Sequence, residues 1–160
     1  MAKRRKKEKA RPRLEAAWER SWEITCSLDA DALAALGPSD QPSREDRLGV
    51  LVSHFDGQML GNAAMFWIVN EWHRQDAVLS NDLRAVKSVA ARKVRALLAR
   101  IDRIAARAAA LESLPESRAT TAKLDRLAVR CADIDDAYAA LRESFLDDVE
   151  AHLAAQSAPS

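Results

Sequence analysis

The chain has 160 residues, of which 48% are hydrophobic and 31% charged, and its formal net charge is only +1. That length suits one domain with a real core, and the composition excludes a wholly disordered chain. No run approaches the ~18 apolar residues of a membrane helix; the longest is Ala63 to Val69. With four glycines and five prolines there is little turn material, and Ala, Leu and Arg all favour helix. The expectation is an all-α, single-domain helical bundle of about five helices.

Residues 1–13, MAKRRKKEKARPR, hold eight Lys/Arg and one Glu, a charge of +7, whereas the remainder holds 17 Lys/Arg against 23 Asp/Glu, or −6. The opening segment repels itself and has nothing to bury, so 1–13 is expected to be a disordered basic tail. Its cations, Lys3, Arg4, Arg5, Lys6, Lys7, Lys9, Arg11 and Arg13, are the candidate polyanion-binding residues. No apolar stretch comes after the basic start, so a secretory signal is not expected. Without interleaved aromatics the tail lacks stacking handles for single-stranded bases.

A helical domain is expected over 14–155, with 156–160 frayed. Pro12 suits a helix start, and Leu14, Trp18, Trp22, Thr25 and Leu28 come after it at helical spacing. The short piece 31–36 ends at Gly37-Pro38, and 37–43 reads as a loop. Ser43 with Asp46 makes an acidic variant of the capping box before Leu48, Leu51, Val52 and Phe55. Gly49, Ser53, Gly57 and Gly61 recur every four residues. They suit either a small-residue groove along one helix or a break near 57–62, and a break with Asn62 as the next cap is the favoured reading. Helix then resumes to about Arg74.

Ser80-Asn81-Asp82 is expected to open the longest element. Leu83, Ala90, Leu97, Ile104 and Leu111 recur every seven residues, with Val94, Ile101 and Ala108 between them and Lys87 as the polar exception. That rhythm predicts a helix over 82–112 with a narrow apolar seam. Pro115 breaks it, and Leu124, Leu127, Cys131, Ile134, Tyr138, Leu141 and Phe145 repeat the pattern. The two helices read as a long C-terminal antiparallel hairpin. Residues 81–112 carry eight Lys/Arg against three acids and 119–153 four against eight. Lys93, Arg100 and Arg107 are therefore expected to pair with Asp133, Asp136 or Glu143 across the hairpin, with phosphate tracking as the alternative. Val86, Leu98, Leu146 and Val149 are left over for the rest of the core or for a second subunit, so a homodimer is one expectation.

Chemistry is sparse. His54 and Asp56, like Glu71 and His73, are two apart and point away from each other on a helix. Asp148 and His152 share a face but have no second pair, and there is no HExxH or Cys/His cluster. There is no GxSxG, no phosphate-cradling glycine loop and no Cys beside a motif-like His. The dense carboxylates at 133–136 and 147–150 read as solvent-side decoration. No metal, no cofactor and no catalytic residue are expected, and the chain is read as not an enzyme. Cys26 and Cys131 stand alone, as in a reducing cytoplasm.

The densest stretch is 54–73, HFDGQMLGNAAMFWIVNEWH, which holds four of the eight aromatics and two of the three histidines. Trp67 and Trp72 cannot both lie on the core face of one helix. One of them near the surface would serve as a partner anchor, a role in which Trp is enriched. Within the stretch, FDGQMLGNAAMFWIVN resembles the signature of a family of small, all-helical bacterial proteins that includes a DNA-mimic protein. Phe55, Asp56 and Asn70 match that signature, and the helix opening DLRAVKSVAARKV fits the next part of the family pattern. Gln58 stands where the family has Glu, and Leu60-Gly61-Asn62-Ala63-Ala64 replaces Asn-Asn-Gly-Gly-Phe. The resemblance implies a compact helical protein whose acidic surface imitates DNA phosphates and occupies a DNA-binding partner.

Together these features predict a non-enzymatic protein-interaction module of bacterial cytoplasm with an acidic helical surface and partner-binding residues Trp67, Trp72, Phe55, Asp56 and Asn70. The alternative is a nucleic-acid-associated protein that binds phosphates through the basic tail. No membrane association is expected.

Overall fold

The structure is a computed structural model that describes residues 8–25, 30–37, 39–61 and 63–159, with the side chains of 20–25, 30 and 32 left aside. The expectations for Lys3 to Lys7, Trp22, Cys26, Leu28 and the Asn62 cap fall outside it. Seven α-helices occur among the described residues, and no strand. They are α1 (Pro12–Thr25), α2 (Ala30–Ala35), α3 (Arg44–Gly61), α4 (Ala63–Val69), α5 (Asp76–Asp82), α6 (Val89–Glu112) and α7 (Arg118–Gln156). Single 3-10 turns at Trp72–Gln75 and Leu83–Ala85 flank α5. The all-α fold and the C-terminal hairpin are as the sequence predicts, but there are more, shorter helices before the hairpin.

The hairpin forms because its two seams meet. On α6, Ala90, Val94, Leu97, Ile101, Ile104 and Leu111 are buried, and on α7 so are Leu127, Cys131, Ile134, Tyr138 and Phe145. The helix expected over 82–112 is cut at its start. Val86 is extended, and Ser88 Oγ accepts the N–H of Ala91 at 3.0 Å, so α6 begins at Val89. The apolar seven-residue spacing runs on from Leu83 to Ala90 across this corner, because both sides of it face the same core. The longest element is therefore α7, 39 residues or roughly 58 Å at about 1.5 Å per residue, started by Ser117 Oγ on Thr120 N at 3.1 Å. It outruns α6, and its last turns pack on α1 and α3. Val86, Leu98, Leu146 and Val149, the four positions left for the core or a second subunit, are all buried within the one chain.

Helix α3 is the central strut. The Ser43–Asp46 cap forms as expected, at 3.1 Å from Asp46 N to Ser43 Oγ. The Gly/Ser row at 49, 53, 57 and 61 acts in both of the ways the spacing allows. The helix runs unbroken through Gly57, and α1 lies against its first half: Ser53 Oγ donates to Leu14 O at 3.1 Å, and a Cβ on Gly49 would stand 2.7 Å from the Ala17 methyl. The break then comes after Gly61. At the other side, Arg47 grips the fully buried Asp82 with two bonds of 2.6 and 2.7 Å, tying α3 to α5.

Of the segment 1–13 only residues 8–13 are described, and these lie against α7. Helix α1 starts at Pro12, and Arg11 is 5% exposed. Arg11 bonds Glu143 at 2.8 Å and Asp147 at 3.2 Å, Lys9 bonds Asp147 at 2.9 Å, and the backbone N–H groups of Arg13 and Leu14 donate to Glu150.

Candidate functional site

The aromatic stretch 54–73 mostly builds core. Phe55 and Trp67 are fully buried. Their rings meet edge to face at 5.3 Å, and Phe55 meets Tyr138 of α7 at 5.1 Å. His54 sits 5.0 Å from both Trp67 and Trp72. Trp67 Nε1 donates to Asp76 Oδ1 at 2.9 Å, and His54 Nδ1 pairs with Gln75 Oε1 at 3.1 Å. Burial pushes His54 below its usual pKa, with the Gln75 bond working the other way. Asp76 is pushed well up, first by burial and then by the charge of Asp102. Of the five expected partner residues, Phe55 and Trp67 thus offer a partner no surface and act as the bed beneath one. Trp72 is half-buried, and Asn70 is exposed, with its side chain donating to Phe66 O at 2.9 Å.

Asp56 joins a different set. It is buried and accepts from Tyr138 Oη at 2.8 Å and from Arg142 Nε and Nη2 at 2.7 and 2.9 Å. Arg142 also reaches Glu8 at 2.7 Å. The Asp56 and Glu8 bonds raise the guanidinium's pKa against the effect of burial, and burial next to Asp56 raises the Tyr138 phenol's. This cluster floors a cleft of about 690 Å³ bounded by residues 8–18, α3 and α7. Its charges satisfy one another, so among the described residues the cleft presents fixed ion pairs and no unengaged nucleophile or base. The acids Glu143, Asp147 and Glu150, part of the acidic surface expected of a DNA mimic, are held by residues 9–14. Lys9 and Arg11, expected to take phosphates, are the residues holding Glu143 and Asp147.

A second concavity, about 480 Å³, lies between α4 and the α6–α7 hairpin. One wall is Met65, Ile68 and Val69, and the other is built from Ile104, Ala105, Ala108, Leu124 and Leu127, with Glu71 and Glu112 at the rim. His73 lines it too, and its Nδ1 is buried with no hydrogen-bond partner among the described residues. Met65 and Val69 of its wall are 44 and 70% exposed; with Phe66 on α4 and Leu60 near the end of α3, at 41 and 60%, they are half of the large hydrophobic side chains the described residues leave open to solvent. Sequence reasoning placed the anchor at the tryptophans. Three of these exposed residues, Met65, Phe66 and Val69, are the neighbours of Trp67 on the outer face of α4, which a helical-wheel reading of 63–69 around the buried Trp67 would have found.

Among the described residues no three His, Cys, Asp or Glu side chains converge as a metal site would require, and no helix is long and apolar enough to cross a membrane. Comparison with known protein families, curated proteins and solved structures returns no match.

Proposed function

We propose that this chain is a non-enzymatic interaction protein that seats an amphipathic helix of a protein partner in the apolar groove between α4 and the α6–α7 hairpin. The supporting observation is that Met65 and Val69, which line that groove, are exposed, with exposed Phe66 between them on α4. Apolar side chains gathered this densely on a surface mark interaction sites. Ala105, Ala108, Ala109 and Ala128 keep the groove's hairpin side shallow in side chain, so a helix backbone can come close. Glu71 and Glu112 at the rim favour a partner helix with basic flanks. Trp72 is half-buried on His54 and Trp67, with its ring 5.9 Å from that of Phe66 on α4. The apolar groove carries this reading better than the acidic ridge of α7, because Lys9 and Arg11 already neutralise Glu143 and Asp147 there. Cys131, buried and in no disulfide among the described residues, suits a reducing compartment such as the cytoplasm.

The test is photo-crosslinking in the source cells with a photoreactive phenylalanine at Val69, and at Val89, exposed elsewhere, as control. A discrete adduct from Val69 alone, lost when Met65→Glu is added, is expected. Adducts from both positions, or from neither, overturn the proposal, and an adduct of twice the chain's mass replaces the partner by a second copy.

A further inference from the structure

The cations of α6 do not pair across the hairpin. Among the described residues no ion pair joins α6 to α7; the pairs there run from α7 to residues 8–11 and Asp56, and from α3 to Asp82. Arg100, Arg103 and Arg107 instead stand along one face of α6, with Arg130 of α7 opposite, around a cavity of about 440 Å³. None of the four makes an ion pair or a side-chain hydrogen bond with another described residue. Asp133 is the one acid in the lining, and Ile104 and Leu127 form the floor.

Four guanidinium groups at one cleft repel each other, and with eight acids available on α7 the chain could have paired them internally. Left unpaired, they form a site of local charge +3 with an apolar floor, where a bound anion is screened less than on an open surface. The choice of arginine matters. Its planar fork takes two oxygens of one phosphate at once, which an ammonium cannot. The volume falls in the range of small-molecule sites. A phosphate chain can lie along the cleft between the helices, whereas a duplex touches only its rim.

We propose that the arginine groove of α6 and α7 binds a small ligand bearing a chain of two or three phosphates, of which a nucleoside triphosphate and inorganic tripolyphosphate are the two sources. Each phosphate takes one or two of Arg100, Arg103, Arg107 and Arg130, and Ile104 and Leu127 lie beneath the chain or against a base. The apolar groove shares the Ile104–Leu127 wall but none of the arginines, so the two sites can be tested separately.

The experiment is isothermal titration of the full chain with tripolyphosphate, adenosine triphosphate and citrate, at low and moderate salt. It is repeated with Lys3, Arg4, Arg5, Lys6 and Lys7 all changed to Gln, with R103Q/R107Q and with R103K/R107K. Arg103 and Arg107 are exposed, and circular dichroism checks that each variant keeps its helix content. One-to-one binding is expected that survives the changes at 3–7 within about twofold, falls at least tenfold in R103Q/R107Q, and falls severalfold in R103K/R107K because the forks are lost. Tighter binding of the nucleotide identifies it as the source, and equal binding identifies the phosphate chain alone. No heat with either phosphate, loss of binding with residues 3–7 instead of 103 and 107, equal binding of citrate, or tighter competition by duplex DNA would each overturn the proposal.

Discussion

The indole N–H of Trp67 donates to one carboxylate oxygen of Asp76 at 2.9 Å, and the other oxygen of Asp76 is buried with no hydrogen-bond partner among the described residues. An ionised carboxylate so placed loses its hydration for a single bond. Burial and the charge of Asp102 hold its pKa well up, so the folded state keeps a proton that the unfolded chain gives up near pH 4. Above the unfolded value, stability therefore falls as pH rises toward the folded value, by about 1.4 kcal/mol for each unit between them. Asp76→Asn keeps the acceptor for Trp67 and removes the proton. The variant is expected to gain on the wild type as pH rises above about 4, and to stop gaining once the folded-state value of Asp76 is passed, in urea denaturation. A difference that stays flat with pH would mean that Asp76 does not titrate in the folded protein.

Gly49 and Gly57 lie two turns apart on α3 and predict opposite outcomes for the same substitution. A methyl at 49 stands 2.7 Å from the methyl of Ala17, with no flexible end to yield, so α1 must shift. Gly49→Ala is expected to cost about 1–3 kcal/mol. Nothing lies within 4 Å of a Cβ at 57, so Gly57→Ala collects the helix-propensity gain of about 0.5–1 kcal/mol. Thermal melts of the pair read both signs at once.

These two glycines also show how far the sequence was legible. The four-residue spacing of small side chains announced a close helix contact, and the contact is there at Gly49 and Ser53. Nothing in the spacing distinguished those two from Gly57 and Gly61, because which stretch of the row is covered depends on where α1 comes to lie. The hairpin was legible because its apolar repeat is long and its partner is adjacent in sequence. The corner at Val86–Ser88 was hidden by that same repeat, which continues across it, although Ser88 is an ordinary cap. Complementary charge on the hairpin helices was misleading: net charge per helix says nothing about which face each side chain takes, and Arg100, Arg103 and Arg107 face a cleft while Glu143 and Asp147 face residues 9–11. Asp56 was singled out as a partner residue from the resemblance of its stretch, and the structure places it inside the bundle with Arg142 and Tyr138.

The triad Asp56, Tyr138 and Arg142 spans α3 and α7, so its members are expected to couple. Arg142→Gln leaves a buried carboxylate with the phenol alone and costs about 3 kcal/mol. Tyr138→Phe removes one bond of three and costs about 1 kcal/mol. Asp56→Asn together with Arg142→Gln costs clearly less than the two single changes added, because the second substitution removes the charge that the first strands. Chemical denaturation of the four proteins gives the cycle, and simple additivity would show that solvent already screens the pair.

Helix α4, which carries the groove wall, is started by a residue far away in sequence. The Ala64 N–H donates to Asp135 Oδ1 of α7 at 2.7 Å, and Ala63 before it sits at φ 74°, in the left-handed region that disfavours a Cβ. Two substitutions separate the strain from the cap. Ala63→Gly relieves the backbone and is expected to stabilise by up to about 1 kcal/mol. Asp135→Ala removes the acceptor and is expected to cost about 1–2 kcal/mol, as loss of an N-cap does. The effect of the second change is local: amide exchange at Ala64, Met65 and Phe66 speeds up while the hairpin amides near Ile101 and Ile134 keep their protection. A uniform rise in exchange would mean that α4 unfolds only with the whole bundle. In the local case Asp135→Ala also weakens partner capture at Val69, because the wall formed by Met65, Ile68 and Val69 is then no longer held against the hairpin.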